Sequence, residues 1–228
     1  MADRQRGGNR VAKKPRRAAP KELATKSRHE EIVDASARIF HEKGYDAASI
    51  QDVGEAVGIL KGSLYYYIDS KEDLLFEIIE TPHRSMLESL ERARKSEGAA
   101  MSRIRDFVVQ NVEANTRDHI RAAVFHRDFR SLSGKHREAI ITARDEYEGF
   151  LRELLEDGQV EGSVCADLDP TITTAAILSM TNGIYTWFRP SGQRSGPEIA
   201  QIFADLAVHA IWCDVAQHTP GHRAPSPS

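Results

Sequence analysis

The 228-residue sequence predicts an all-α protein of about nine helices. Three observations lead there. Apolar residues recur at three- and four-residue spacing along most of the chain, and no stretch alternates with the period of two that a half-buried strand requires. Breaks between the periodic segments fall on Gly, on Pro, or just before a Ser placed to cap the next helix. With 40% of residues apolar and 29% charged, a sizeable core is available. No run approaches the roughly 18 uninterrupted apolar residues of a membrane span, and the N-terminal stretch lacks an apolar secretory segment, so no membrane partner and a cytoplasmic location are expected.

Residues 1–26 read as a disordered basic arm with almost nothing to bury. Up to Arg28 there are ten Lys or Arg against two acids, a net of +8; the whole chain is −3, so the remainder carries −11. A polycationic end suits a polyanionic partner. The tail, residues 218–228 (HTPGHRAPSPS), is expected to be disordered without the charge.

The first helix is expected over residues 27–43, with Ile32, Ala35, Ile39 and Phe40 on one face and Gly44 as its stop. Ser49 caps a short helix carrying Ile50, Val53 and Val57, which Gly58 ends. A third short helix runs from near Leu60 to about Ile68. Ser70, with Asp73 three residues on, caps a longer helix that begins with Leu74, Leu75, Ile78 and Ile79. Pro82 should kink or interrupt it, since proline brings no amide hydrogen to the ladder. Further segments are expected at about 101–118, 119–132, 135–156, 171–188 and 197–216, with breaks at Gly134, Gly158, Gly162, Pro170, Pro190, Gly192 and Gly196.

Residues 49–68 therefore hold two short helices joined by a tight Gly-containing turn, the helix-turn-helix plan, within a DNA-binding domain spanning 27–72. In that plan the second helix sends its first residues into the major groove. Here they include Lys61, a cation; Gly62, which permits close approach; and Ser63, a hydroxyl for phosphate or a base edge. Leu64 and Ile68 are four apart and share the buried face. Tyr65 and Tyr67 are expected on the flanks with their hydroxyls near phosphates, and Tyr66 against the neighbouring helices. Lys71 opens the next helix as another phosphate contact, while Ser49 and Gln51 clamp the backbone from the other side.

This stretch resembles the TetR family of bacterial transcriptional repressors over residues 28 to about 75. The Phe40–Gly44 exit, the Ser49 cap, the Gly58 turn, the Leu64–Tyr65 pair and the Ser70–Lys71 pair recur in order at the family's spacing. Two positions depart from the pattern: Leu60 stands where the family often has a Ser or Thr cap, and Ile68 where it often has Phe. The resemblance implies a homodimer, an all-α C-terminal domain with a ligand cavity, and a dimer interface made by the last two helices. The run NGIYTWFRPSGQRSGPEI is similar to members that sense acyl-CoA or steroid-CoA thioesters, with Arg121, Arg127, Arg130 and Arg189 as candidate phosphate partners or solvated side chains.

Residues 73–217 form the effector-binding and dimerisation domain in this reading. Segments 171–189 and 198–213 are apolar over a wider arc than a single-faced helix needs, as expected if each packs on its own domain and on a partner subunit. The candidate interface is Ile177, Ile184, Trp187 and Phe188 with Ile202, Phe203, Leu206 and Ala210. Candidate pocket residues are Met86, Leu90, Ile104, Phe107 and Val108, then Val124, Phe125, Phe129, Tyr147, Phe150 and Asn182, half or more of which are expected to be ordinary core.

No catalytic residue, metal site or cofactor is assigned, and the chain is not read as an enzyme. His119 and His126 are seven apart, about 10 Å along a helix, too far to share one ion, so the segment with Asp128 reads as helix surface. Cys165 and Cys213 stand alone. The expected function is a ligand-responsive repressor that binds a palindromic double-stranded DNA operator as a dimer. A small lipophilic or CoA-thioester effector releases it. The rival is a regulatory or architectural DNA-binding dimer without a small-molecule switch, which a filled core would favour over a cavity.

Overall fold

The computed structural model describes residues 20–212, with side chains from Ser27 onward. These residues form nine α-helices and two 3-10 turns. Their only β pairing is one isolated bridge between Val164 and Trp212. The helices are α1 (Pro20–Lys43), α2 (Ile50–Val57), α3 (Lys61–Leu64), α4 (Lys71–Lys95) and α5 (Ala100–Arg117). They continue with α6 (His119–Asp128), α7 (Gly134–Glu161), α8 (Pro170–Asn182) and α9 (Gly196–Ile211).

Several elements differ from the expected ones for identifiable reasons. Helix α1 begins at Pro20, so residues 20–26 are helical where a disordered arm was expected. Proline is well suited to a first helical turn, and Glu22, Leu23, Ala24 and Lys26 are good helix formers. Helix α4 runs through Pro82 from Lys71 to Lys95 as a single element, because packing on both sides holds it. Gly158 does not break α7. A Cβ there would stand 2.5 Å from Val164 Cγ2, so the residue is small to let the chain after the helix fold back against it. Gly134 and Gly196 open helices. Helix α3 stops at Leu64, and residues 65–67 are a turn.

The caps are local chemistry. Ser49 accepts from the Asp52 amide and Asp52 answers to the Ser49 amide, a reciprocal box at the start of α2. Ser70 caps α4 from its side chain, accepting from the Asp73 amide and donating its hydroxyl to the Asp73 carboxylate. Gly58 closes α2 with φ 70°, a left-handed position that a side chain would strain. Leu60 offers α3 no side-chain cap.

Two apolar cores result. One joins Leu90, Ile104, Phe107, Val108, Phe150, Leu154, Ile177, Ile184, Phe188 and Ile211 among α4, α5, α7, α8 and α9. The other starts from Ile32, Phe40, Val53 and Leu64 of the N-terminal module, and it does not close at residue 72. It continues through Leu74, Leu75, Ile78 and Ile79 of α4 into Val124, Phe125 and Phe129 of α6 and its 3-10 extension. The N-terminal module therefore rests on α6 as well as on its own helices.

Candidate nucleic-acid interface and internal cavity

The short α3 stands on one buried side chain, Leu64, which is 0% exposed. Gly54 of α2 makes the approach possible, since a Cβ on it would lie 2.7 Å from the Ile59 carbonyl oxygen and 3.2 Å from Leu64 Cδ1. With its one apolar residue turned inward, α3 presents Lys61, Gly62 and Ser63 to solvent. Leu60, ahead of them, is 81% exposed.

The tyrosines are distributed differently from expectation. Tyr66 is the most open at 80% exposed and Tyr65 follows at 50%, whereas Tyr67 is half-buried against the N-terminal core. The turn explains the correction. The Tyr66 amide bonds the Ser63 carbonyl and the Tyr67 amide the Leu64 carbonyl at 2.8 Å, a tighter winding of about 120° per residue that brings Tyr67 back to the face of Leu64 and leaves Tyr65 and Tyr66 outside it. Tyr66 and Tyr67 meet edge to face with ring centroids 5.3 Å apart.

Around this head the other candidate residues are partly engaged. Ser49 is exposed, but its hydroxyl is engaged with Asp52, which Lys43 Nζ holds at 2.6 Å. The Lys43 bond, followed by those from Ser49, lowers the Asp52 carboxyl to about 2. Gln51 is exposed and reaches Glu55 Oε1 at 3.0 Å. Lys71 lies 4.2 Å above the Tyr45 ring, half-buried at the edge of the module. Basic residues 1–19 and the tail from 213 lie outside the described residues, so the arm and tail are not placed.

In the larger domain, α4, α5, α6, α7 and α8 line a partly open cavity of about 770 Å³, within the usual range for small-molecule sites. Of the eleven candidate pocket residues, Met86, Phe125, Tyr147 and Asn182 line it. Leu90, Ile104, Phe107, Val108 and Phe150 belong instead to the C-terminal core, and Val124 and Phe129 to the N-terminal one. The reason is volume. Large apolar side chains fill the space they face, and the cavity survives where short ones meet: Ser85, Ser89, Ala114, Ala122, Ala175, Ser179 and Gly183.

Much of the rest of the wall is polar and was not anticipated, including Gln110, Asn111, Asn115, His126, Arg144 and Tyr185. His126 corrects the expectation of helix surface. Its Nε2 lies 2.7 Å from Asn115 Oδ1 and its ring stacks near Tyr185 at 5.6 Å. Burial, then the charge of Arg144, lower its pKa to about 4, so the ring is neutral. Asn111 and Asn115, four apart on a helix face otherwise built from Phe107, Val108 and Val112, were the legible signal. Among the described residues no group of three or more His, Cys, Asp or Glu could hold a metal, and no helix is long and apolar enough to cross a membrane.

The arginines proposed for phosphate do other work. Arg121 of α6 bridges Asp118 at 2.9 Å and Asp34 of α1 at 2.5 Å. Arg127 donates to the Phe40 and His41 carbonyls at the end of α1 while holding Asp128. Arg130 lies over the Phe129 ring, and Arg189 bonds the Phe188 carbonyl. Helix α6 thus lines the cavity on one side and grips the N-terminal module on the other.

Of the candidate interface residues, Ile177, Ile184 and Phe188 are inside their own subunit, at 5%, 0% and 6% exposed. Helix α8 and the 3-10 turn that follows it need that inner face to seal the core. Trp187, Ile202, Leu206 and Ala210 are exposed, and Phe203 is half-buried, stacked on Trp187 at 6.0 Å. Ile202, Leu206 and Ala210 form one outward stripe on α9, opposite buried Ile199, Ala200, Ala204, Ala207 and Ile211.

An exposed reading helix mounted on a helical domain that holds a cavity defines a helix-turn-helix DNA-binding regulator. Residues 32–78 match the family described as bacterial regulatory proteins, tetR family, and residues 97–211 match the tetracyclin repressor-like C-terminal domain. The chain belongs to the TetR family of transcriptional regulators. It is 22% identical over 186 residues to the transcriptional repressor KstR2 of Mycolicibacterium smegmatis, covering 81% of this chain and 91% of that one. The crystal structure of the TetR-family regulator PfmR from Thermus thermophilus is similar with a TM-score of 0.69 at 31% identity, covering 78% of this chain and 97% of that one. AibR, solved in complex with isovaleryl coenzyme A and operator DNA, is similar with a TM-score of 0.69 at 27% identity, covering 81% and 98%.

Proposed function

We propose that this regulator is a repressor that occupies a palindromic operator as a homodimer and leaves it when a small lipophilic or CoA-thioester effector fills the cavity. The observation that carries the reading is the double role of α6, whose Ala122, Phe125 and His126 edge the cavity while Arg121 and Arg127 fasten it to α1. A ligand that displaces α6 displaces the reading head with it. Two copies must meet two half-sites about 34 Å apart, so a shift of a few Å suffices to break binding. The likeness to AibR, solved with both isovaleryl coenzyme A and operator DNA, supports a CoA-type effector.

In this reading Lys61, Gly62, Ser63, Tyr65 and Tyr66 face the groove and flanking phosphates, with Ser49, Gln51, Tyr67 and Lys71 at the edge of the footprint. Subunits pair through the outward stripe of Ile202, Leu206 and Ala210 with Trp187 and Phe203. The test begins by enriching bound duplexes from a random library with the full-length protein. Fluorescence anisotropy on the enriched site then follows release by isovaleryl-CoA, longer acyl-CoA thioesters and the matching free acids. A palindrome released by at least one of them is expected. An enriched site that no member releases favours a regulator without a small-molecule switch.

A further inference from the structure

The cavity wall carries a hydrogen-bond chain whose direction is fixed atom by atom. Asn115 Nδ2 lies 3.0 Å from the Asn111 backbone oxygen, and a carbonyl only accepts, so the Asn115 amide must turn its NH2 group that way. The same NH2 reaches Asn111 Oδ1 at 3.0 Å, which orients the second amide in turn. Asn111 Nδ2 therefore faces Tyr147 Oη at 3.0 Å and donates to it. At the other end Asn115 Oδ1 can only accept, so His126 Nε2 at 2.7 Å bears hydrogen. The ring is neutral at pH 7, since burial holds its pKa at about 4. Every bond then points one way, from His126 through Asn115 and Asn111 to Tyr147.

The chain ends on a proton that no acceptor among the described residues receives. The Tyr147 oxygen is engaged as an acceptor by Asn111, so its O–H must donate elsewhere. Tyr147 is 6% exposed and edges the cavity. Burial raises its pKa above the ordinary phenol range, so the proton stays on. Bonds aligned head to tail polarise one another, which strengthens the last donor in the row. Gln110 Oε1 in the same wall is buried without a partner, so the cavity is not furnished for hydrocarbon alone.

We infer that the Tyr147 hydroxyl is the anchoring donor for the effector, and that the effector presents a neutral carbonyl oxygen to it, as a ketone, ester or thioester does. The inference rests on the reading that this cavity is the effector site. The relay carries no net charge, so it offers the positive end of a dipole and not a counter-ion. A carboxylate taken out of water against it would lack the full charge it needs. Arg144 is turned onto the Phe129 ring at 4.3 Å, and the two cations of the wall, Arg117 and Arg144, are matched by its two carboxylates, Asp118 and Glu148.

Two matched probe pairs test this on the full-length protein. One is isovaleryl-CoA against S-isopentyl-CoA, the thioether in which the carbonyl is replaced by methylene. The other is acetophenone against ethylbenzene, followed by ligand-observed NMR. Wild type is expected to prefer the carbonyl member of at least one pair by roughly tenfold, and Tyr147→Phe to reduce that preference to within about twofold without weakening the carbonyl-free member. Because Tyr147→Phe leaves Asn111 without an acceptor, Asn111→Leu with Tyr147→Phe serves as a second variant with the same expected loss. Equal binding of both members by wild type overturns the inference, as do a preference that survives in both variants, binding of neither pair, or benzoate binding more tightly than acetophenone. Operator release is read separately. Probes that bind with the carbonyl preference but leave the operator occupied uphold the Tyr147 assignment and overturn the effector reading instead.

Discussion

Replacing Arg127 with Met should loosen the grip of the larger domain on the N-terminal module. The guanidinium donates to the His41 carbonyl at 3.0 Å, in the last turn of α1, and to the Phe40 carbonyl, which also accepts from the Gly44 amide. It also holds Asp128, which is 8% exposed, through Nε at 3.0 Å and Nη2 at 2.8 Å. Bonds from a charged donor are worth about 1.5 kcal/mol each at the lower end of their range, and the side chain is 37% exposed, so screening roughly halves the pair to the carbonyls. Leaving the buried Asp128 carboxylate unpaired adds about 1 kcal/mol, for a total of about 2.5 kcal/mol, or about 70-fold in the folding equilibrium. Denaturant unfolding at fixed protein concentration measures the loss, and amide exchange locates it at the end of α1. Adding Asp128→Asn should recover about 1 kcal/mol, because it removes the orphaned charge. An Arg127→Met protein within about 0.5 kcal/mol of wild type, or a second substitution that recovers nothing, refutes the argument.

Lys61→Ala should weaken operator binding and lower the salt slope by roughly one unit, with unchanged thermal stability, since Lys61 is exposed on the reading helix; an unchanged slope removes it from the footprint. Leu60→Ser should stabilise the fold by about 0.5–1 kcal/mol by supplying the cap that α3 lacks, checked by denaturant midpoint. His126 binds a proton less readily in the folded chain than in the unfolded one, so its contribution is complete above pH 6.5 and is lost as pH falls towards about 4, by up to about 3 kcal/mol. His41 and His83, both lowered chiefly by burial, act in the same direction. His126→Gln should therefore flatten the dependence of stability on pH between 7 and 5, and an equal slope in the variant assigns the effect elsewhere. Leu206→Asp places a charge on the outward stripe of α9 and should yield monomers by light scattering, while a dimer of wild-type strength would move the interface off that stripe.

What the sequence alone settled was local. Ser49 with Asp52, Gly58, Ser70 and the spacing of Ile50, Val53, Leu64 and Ile68 need only neighbours within a few residues, so the helix-turn-helix is legible in the order of residues. Periodicity also told which residues point inward, but not what they meet there. Leu90 and Phe150 were as plausible a cavity wall as Met86 and Tyr147. The difference lies in whether the facing helix brings a Ser or Ala or another large side chain. For the same reason His126 passed for surface until α5 supplied Asn115, and Arg127 for a ligand contact until α1 supplied its carbonyls. Those partners lie 11 and 86 residues away. Chain folding, and not helical pitch, sets such distances.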